Sequence, residues 1–418
     1  MRPRSSNGGL TPCAAGNVRV PAQVAQLVDA VVSKTTVRED VRVRVPPWAL
    51  PLEYLRRHPL ATHVLAAWLV SRLVLIAGAW SGSMLVEAGL MAHHPRYVGG
   101  VVDLLTWWDG RYYLAIAHDG YPGGDPSTLH GFFPLVPGTF AVFANHLLPA
   151  LLLANLAGLA AIGAVTALTA RLVPGPAAAR VAWLYALAPG ALTLGMTYTE
   201  PYVVALGAGA AVALLAGRPW LALALGIGCG LTRVQGFVFA LPLLGIALRH
   251  PRRRLALLAA TGPVLGLALF CVYLAFRTGD WLAYAHAQAD NSPFRNRTSP
   301  GPNGLVVAVR LAYQNLTRDG IVPWEIRDTL GTVGYGALLA VAAWRRLPWT
   351  WVAAGVLALL IPVSAGTMAG TSRYALMAIP AFWVLALWAR REGVFVAMVA
   401  VSAGLLALNA VWLPTHWP

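Results

Sequence analysis

The sequence is poor in charge, because Asp, Glu, Lys and Arg make up only 11% of its 418 residues, against about 25% in a soluble domain. Hydrophobic residues reach 58%, and the mean hydropathy is +0.62. An intrinsically disordered chain is excluded, since disorder requires low hydrophobicity. One oversized soluble core is also excluded, because apolar stretches of about 20 residues recur, and that length crosses a ~30 Å hydrocarbon layer as a helix. The composition therefore predicts an all-α polytopic membrane protein.

Lysine and cysteine are scarce as well: Lys34 is the only lysine, and the cysteines are Cys13, Cys229 and Cys271. The cysteines are scattered along the chain, which argues against a disulfide framework or a cysteine metal cluster. The formal charge is nevertheless +15, carried by arginines in short segments between apolar runs. Arginine in such segments is typical of cytoplasmic loops and of contact with anionic lipids. The sequence lacks the basic-aromatic surface of a nucleic-acid-binding domain, so we expect no nucleic-acid partner.

Residues 1–51 differ from the rest of the chain. They are polar, rich in Arg and Val, and contain neither a membrane-length run nor the apolar region of a signal peptide. The stretch VAQLVDAVVSKTTVREDVRVRVPPWAL resembles the conceptual translation of a transfer-RNA gene, so we expect the true start near Leu52. The alternative is a disordered cytoplasmic extension. Both interpretations leave 52–418 as a single integral-membrane domain.

The apolar runs predict nine to twelve transmembrane helices. They lie near 63–80, 132–148, 151–170, 181–196, 200–216, 220–248, 255–276, 331–344, 350–367, 374–389 and 395–413. Cytoplasmic placement of the arginine cluster at 249–254 puts a large first loop, about 83–131, and a second loop, about 277–330, outside. Prolines predict that the run 132–148 is short or re-entrant. The run 220–248 fits one broken span or two short ones.

The first external loop contains the run TWWDGRYYLAIAHDGYP, followed by HGFFPLVPG. With helical spacing, Trp108, Tyr112 and Ala115 share one face, which predicts an amphipathic helix in the membrane interface. Asp109 then lies at headgroup depth and partly desolvated, where a carboxylate can serve as a general base. The alternative is an aromatic belt with an incidental aspartate.

An acidic residue also begins one of the apolar runs, Glu200 in YTEPY. An ionisable residue at or within the membrane is costly and is a functional candidate by default. Three roles are open to Glu200: an ion pair with Arg233, orientation of a substrate hydroxyl, or a link between two spans.

The first-loop run resembles the signature of the phosphatidylinositol-glycan class V family, the GPI mannosyltransferase 2 type and its bacterial relatives. This family belongs to the C-type membrane glycosyltransferase (GT-C) superfamily. Val136 departs from it, since the family usually has an aromatic residue there. Four further segments resemble family elements in the same order, and together the resemblance covers about 60–415. They are YALAPGALTLGMTYTEPYVVAL, with Thr199 for serine; GLTRVQG; GDWLAYAHAQADNSPFRNR, which lacks a tryptophan; and GTSRYALMAIPAF, with Ser372 for proline.

The resemblance implies a GT-C fold whose first external loop carries interfacial helices. It implies an enzyme of the cell membrane that transfers a sugar, mannose by analogy, from a polyprenyl-phosphate donor to a lipid- or glycan-linked acceptor hydroxyl on the extracytoplasmic side. Asp109 is then the catalytic base, and Arg233 and Arg373 hold the donor phosphate, since arginine binds phosphate bidentately. The further substrate-binding candidates are Trp108, Arg111, Tyr112, Tyr113, Glu200 and Tyr374.

No cofactor is firmly implied. The sequence contains no glycine-rich nucleotide loop, Walker motif or zinc-type His/Cys spacing, which fits a lipid-linked donor, and a divalent metal stays compatible with it. The alternative function is a polytopic transporter or lipid flippase, which intramembrane Glu and Arg, broken helices and glycine-rich spans also suit. A structural subunit of a cell-envelope complex is a third interpretation, but it gives the two long loops no function.

Overall fold

The computed structural model describes residues 59–416, apart from 95–96, 98, 125–126, 144–145, 174, 290–300 and 318–322. The expectations for residues 1–51 therefore lie outside the described residues. All the described secondary structure is helical, with no strand in these ranges. An all-helical fold agrees with the composition.

The first nine α-helices are α1 Pro59–Glu87, α2 Val101–Thr106, α3 Asp109–Asp119, α4 Leu135–Ala141, α5 Leu147–Leu172, α6 Ala177–Ala186, α7 Glu200–Leu215, α8 Pro219–Gly230 and α9 Ala240–Ala247. The next nine are α10 Arg253–Ala260, α11 Gly262–Thr278, α12 Ala283–Ala289, α13 Pro302–Thr317, α14 Pro323–Trp344, α15 Trp349–Ser364, α16 Thr371–Tyr374, α17 Ile379–Trp388 and α18 Glu392–Val411. Short 3₁₀ helices lie between them at Thr128–Gly131, Pro189–Gly195, Val234–Phe239 and Ala375–Met377.

Three of the described helices, α1, α5 and α18, are long and apolar enough to cross a membrane. The number rises to five if each of two bent helix pairs is one span. In the first pair, α6 meets the following 3₁₀ helix at 78°; in the second, α10 meets α11 at 40°. Several further apolar helices are shorter, between 10 and 17 residues. The described chain thus has three to five candidate spans by length and composition, and the count of nine to twelve stays a prediction.

Two sequence expectations about broken segments agree with the structure. Among the described residues of the run 132–148, the seven-residue helix α4 ends at Ala141 and α5 begins at Leu147. The run 220–248 is divided into α8, a 3₁₀ helix and α9, which fits both expectations, one broken span or two short ones. In both places the chain contains proline or glycine, which interrupt a regular helix.

The core is built largely from small residues. Helix α5 buries Ala150, Ala154, Gly158 and Ala161 at spacings of three or four, so they form one stripe along the helix. Gly158 lies against the backbone of Leu194, where a Cβ atom would overlap the carbonyl oxygen. Small residues let helix backbones approach closely in membrane proteins, where van der Waals packing drives association.

The two segments predicted as long external loops are partly helical. The first, residues 88–134, contains α2, α3 and a 3₁₀ turn, and it begins later than expected because α1 extends to Glu87. The second, residues 279–322, contains α12 and α13. Helix α3 buries Gly110, Tyr113 and Ile116 on one side, so it is amphipathic, and its position in the membrane interface stays a prediction.

Candidate functional site

A cavity of about 650 Å³ lies where the two long segments meet the helix ends that carry Arg233 and Arg373. Its wall combines charged groups with several aromatic rings. The cavity is lined by His94, Trp107, Trp108, Asp109, Arg111, Tyr112, Tyr113, Ala115, Thr128, Gly131, Phe132, Phe133, Arg233, Val234, Gln235, Tyr284, Ala287, Gln288, Arg373 and Tyr374. A volume of this size falls within the 300–1,000 Å³ range of ligand pockets.

Asp109 is placed at the first position of α3 by contacts on either side of it in the chain. The preceding Trp108 has a positive φ of 57°, an uncommon conformation for a residue with a side chain. The next residue, Gly110, packs so closely on Thr197 that a Cβ atom would overlap the threonine hydroxyl. The Asp109 backbone N–H donates to the Tyr198 hydroxyl at 3.3 Å. These contacts hold the start of α3 against the segment that leads into α7.

The Asp109 carboxylate is open to the cavity and forms an ion pair with Arg373. The distance from Arg373 Nη1 to Asp109 Oδ2 is 2.8 Å, and the Asp109 side chain is 24% exposed. A charge-assisted hydrogen bond of this length is among the stronger protein hydrogen bonds. Asp109 is therefore reachable by a molecule in the cavity while its orientation is set by Arg373.

Glu200 lies behind the cavity wall, in the first turn of α7. Its side chain is 1% exposed, and its Oε1 accepts from Arg233 Nη1 at 2.5 Å. Arg373 Nε lies 3.5 Å from the same oxygen. Of the three roles open to Glu200, the structure shows the ion pair with Arg233, and Glu200 does not line the cavity. It bridges the two arginines from behind.

Arg233 is held by several groups at the start of the 3₁₀ helix Val234–Phe239. Its Nε donates to Gln235 Oε1 at 2.8 Å, and its Nη1 donates to Thr199 Oγ1 at 3.2 Å. Its guanidinium carbon lies 4.6 Å from the centroid of the Tyr374 ring, a cation–π distance. The arginine is therefore fixed in orientation with one face towards the cavity.

Arg373 connects the cavity wall with the layer behind it. Besides its pairs with Asp109 and Glu200, its Nη2 donates to the Tyr374 hydroxyl at 3.1 Å. Its guanidinium carbon lies 5.1 Å from the ring centroids of both Tyr198 and Tyr374. Two carboxylates and two guanidinium groups thus form one connected cluster in which the opposite charges are matched.

Aromatic rings surround this cluster on the cavity side. Tyr112 stacks on Phe132 at a centroid distance of 4.7 Å, and Tyr113 meets the same ring edge-on at 5.2 Å. The Arg111 guanidinium lies 5.2 Å from the Trp107 ring. Trp108, Tyr112 and Ala115 all line the cavity, although Trp108 precedes α3, which begins at Asp109.

The second long segment closes one side of the cavity through α12. Asp280 accepts from the Leu282 backbone N–H at 2.8 Å and pairs with His286 at 2.7 Å. These hydrogen bonds lower the pKa of the Asp280 carboxyl, with the Leu282 N–H as the larger cause. Gln288, on the same helix, donates from Nε2 to the Gly131 carbonyl at 3.2 Å. This bond joins the second long segment to the first.

Eight of the nine residues proposed from the sequence line the cavity, and Glu200 lies directly behind it. Sequence reasoning missed several cavity residues, although most of them lie inside segments that it quoted. Gln235 is in GLTRVQG, and Tyr284 and Gln288 are in GDWLAYAHAQ. Neutral polar and aromatic residues carry no charge signal, so composition gave no reason to select them.

The described residues contain no group of three or more His, Cys, Asp or Glu side chains placed to hold a metal ion. Comparisons with protein-family models, with curated proteins and with solved structures return no match for this chain.

Proposed function

We propose that the chain is an integral-membrane glycosyltransferase of GT-C type, which transfers mannose from a polyprenyl-phosphate donor to an acceptor hydroxyl on the extracytoplasmic side. The observation that carries this proposal is one carboxylate, Asp109, exposed in a 650 Å³ cavity beside two fixed arginines. Sugar transfer from a lipid phosphate needs both elements: a base for the acceptor and cations for the departing phosphate.

Arg233 and Arg373 are the groups that bind the donor phosphate. Both line the cavity, and the rings and carboxylates around them fix the planes of their guanidinium groups. A phosphate that approaches Arg373 competes with Asp109 for the Nη1 donor. Donor binding therefore loosens the ion pair of Asp109 and leaves its carboxylate available to the acceptor.

In the transfer step, the acceptor hydroxyl oxygen attacks the anomeric carbon of the donor sugar. The bond between that carbon and the phosphate oxygen breaks, and its electron pair leaves with the lipid phosphate. The hydroxyl proton passes to Asp109. The two arginines stabilise the charge that develops on the phosphate, and Glu200 keeps them in place from behind.

The remaining lining fits a sugar bound near a membrane surface. Trp108, Tyr112 and Tyr113 offer ring faces on which a hexose can pack, and Tyr374 lies beneath both arginines. Arg111 adds a third cation at the edge of the cavity. The acceptor in this proposal is a lipid- or glycan-linked hydroxyl, and membrane lipids surround the helices.

A transporter or lipid flippase is the second candidate, and the bent helices support it. Helix α6 and the 3₁₀ helix after it meet at 78°, and the next helix begins with the buried Glu200. Broken helices at a charged site are typical of transporters. The two candidates differ in whether a covalent bond of the lipid-linked sugar is broken.

The test uses the full chain in lipid vesicles with a radiolabelled polyprenyl-phosphate mannose and an extract of cell-envelope lipids. We expect label to move from the polyprenyl lipid to a second lipid or glycan, together with release of polyprenyl phosphate. Movement of intact donor across the vesicle membrane, without release of polyprenyl phosphate, would support the transporter instead. Asp109→Asn is the matched control for transfer.

A further inference from the structure

Asp328 is a buried carboxylate that the proposed chemistry does not use. It lies in the second turn of α14, and its side chain is 2% exposed. Arg327 forms a bidentate pair with it, from Nε to Oδ1 and from Nη2 to Oδ2, both at 3.0 Å. Asp328 falls within the segment 277–330 that the sequence predicts as the second external loop. Its neighbours in space give it a more specific role.

Residues 370–374, which comprise Gly370 and the one-turn helix α16, are here called the Arg373 loop, and three consecutive residues of it hydrogen-bond to Asp328. The Gly370 backbone N–H donates to Oδ2 at 2.7 Å, and the Ser372 hydroxyl donates to Oδ1 at 2.7 Å. Between them, the Thr371 hydroxyl donates to the Asp328 carbonyl at 3.1 Å. Arg373 is the next residue in the chain. Both carboxylate oxygens therefore hold the loop immediately before the arginine that contacts Asp109.

Gly370 shows how tightly the loop is built around that arginine. Its φ is +73°, a left-handed conformation that side chains rarely adopt. A Cβ atom added there would lie 2.9 Å from Arg373 Nε, so the glycine lies directly against the guanidinium. The hydrogen bond from Gly370 to Asp328 thus fixes a backbone position that the Arg373 side chain rests on.

Residues of the Arg373 loop line two cavities. Arg373 and Tyr374 line the cavity that contains Asp109. Ser372 and Arg327 line a second cavity, of about 640 Å³, between α14, α17 and α18. The hydrogen bonds to Asp328 therefore hold a segment that forms part of both cavity walls.

We infer that Asp328 is a positioning residue that sets the location of the Arg373 guanidinium, and through it the orientation of the Asp109 carboxylate. Asp328 does not line the first cavity, so it acts through the loop. Its catalytic consequence rests on the proposed function, whereas its effect on the position of Arg373 does not.

The first measurement follows the reaction of Arg373 with phenylglyoxal, an arginine-specific reagent, by mass spectrometry of the full chain in detergent. In Asp328→Asn we expect Arg373 to be modified about tenfold faster than in the wild type. This is the factor that corresponds to loss of one charge-assisted hydrogen bond. Asp119→Asn is the matched control, because the Asp119 side chain is 72% exposed and pairs only with the neighbouring His118 among the described side chains. It should leave the rate unchanged.

Ser372→Ala keeps the inference testable if Asp328→Asn does not fold. It removes one donor to the Asp328 carboxylate and should raise the Arg373 modification rate in the same direction by a smaller factor. If both single variants fold, the double variant should show less than the sum of their effects, because both changes act on one hydrogen bond.

The second measurement is sugar transfer by the same proteins. Asp328→Asn should raise the KM for the lipid-linked donor more than it lowers kcat, since the arginine contacts the donor in the ground state. A lower melting temperature with an unchanged Arg373 modification rate would overturn the inference, because Asp328 would then only stabilise the fold. If the wild type transfers no sugar, the proposed function fails, and the modification rate still decides the role of Asp328.

Discussion

Carboxylate–arginine ion pairs occur both in the wall of the cavity and in the layer of residues behind it, but their roles differ. In the wall, the Asp109 side chain is 24% exposed and binds one nitrogen of Arg373. In the layer behind, the Glu200 and Asp328 side chains are 1% and 2% exposed, and each contacts more than one group. A carboxylate with exposed surface can still bind a substrate. Carboxylates enclosed by protein partners can only orient those partners.

Substitutions of the two kinds of carboxylate should therefore have different effects, one on stability and the other on activity. Removal of one member of a buried ion pair leaves an uncompensated charge and costs about 3–5 kcal/mol of stability. A change at the exposed carboxylate spares the fold and affects chemistry. Variants of Asp109 and Glu200 should therefore fall into different classes, although both residues contact the same arginine.

The largest effect on chemistry is expected for Asp109→Asn. The amide keeps the shape of the side chain and removes the group that accepts the proton, so kcat for sugar transfer should fall by about 10²–10⁴-fold. The melting temperature should change little, because the side chain faces the cavity. Initial rates with a saturating lipid-linked donor, together with thermal unfolding in detergent, check both parts.

Two other aspartates of the first long segment serve as controls for this variant. Asp119 is exposed at the end of α3, and Asp103 lies in α2 outside the cavity lining. Asp119→Asn and Asp103→Asn should retain transfer. Near-normal transfer in Asp109→Asn, with loss in either control, would move the base to another residue. Normal transfer in all three variants would show that none of these aspartates is the base.

The largest effect on stability is expected for Glu200→Gln. The neutral amide leaves Arg233 without its closest anionic partner in a buried site, so the free energy of unfolding should fall by about 3–5 kcal/mol. Thermal or denaturant unfolding in detergent measures this change. Glu392→Gln is a matched control, since Glu392 is also a first-turn glutamate but is exposed on α18. Equal stability of the two variants would contradict the structural role of Glu200.

The sequence was sufficient to predict the helical class and the aspartate and arginines that line the cavity. Asp109, Arg233 and Arg373 each lie in a short segment with a recognisable pattern, and charge is rare enough in this chain to draw attention to them. The breaks in the runs 132–148 and 220–248 were also predictable, because prolines and glycines mark them. These are local signals that need no knowledge of which segments meet in space.

The sequence did not predict which residues far apart in the chain contact each other. Asp109 and Arg373 are separated by 264 positions, and Asp328 and Ser372 by 44. Hydrophobic periodicity says which face of a helix is buried but does not say which partner covers it. Asp328 lies inside the predicted second loop, 277–330, whereas in the structure α14 begins at Pro323 and the Asp328 side chain is buried.

An intermediate effect is expected for the two arginines. Lysine keeps the charge and loses the planar fork, so Arg373→Lys should raise the KM for the lipid-linked donor by about tenfold, the value of one charge-assisted hydrogen bond. Arg233→Lys should have a smaller effect, because of the two arginines only Arg373 pairs with both Asp109 and Glu200. Donor titrations of transfer check the order. Unchanged donor dependence in both variants would discard them as phosphate ligands.

The smallest effect concerns the bond between the two long segments. Gln288→Ala removes the donor to the Gly131 carbonyl, a neutral hydrogen bond at 3.2 Å. A bond of this kind contributes about 0.5–1.5 kcal/mol, so the KM for donor or acceptor should rise by roughly two- to tenfold with kcat nearly unchanged. Transfer assays with each substrate varied in turn measure the change.

His286→Ala is the control for Gln288→Ala, because His286 lies on the same helix, pairs with Asp280 and does not line the cavity. It should leave both KM values close to those of the wild type. If instead His286→Ala raises KM as much as Gln288→Ala does, the stability of α12 governs binding, and the direct bond to the first segment does not. If Gln288→Ala lowers kcat by as much as Asp109→Asn does, Gln288 takes part in the reaction step, and a role limited to joining the two long segments is wrong. A small rise in KM with normal kcat places Gln288 with the positioning groups, although it lines the same cavity as Asp109.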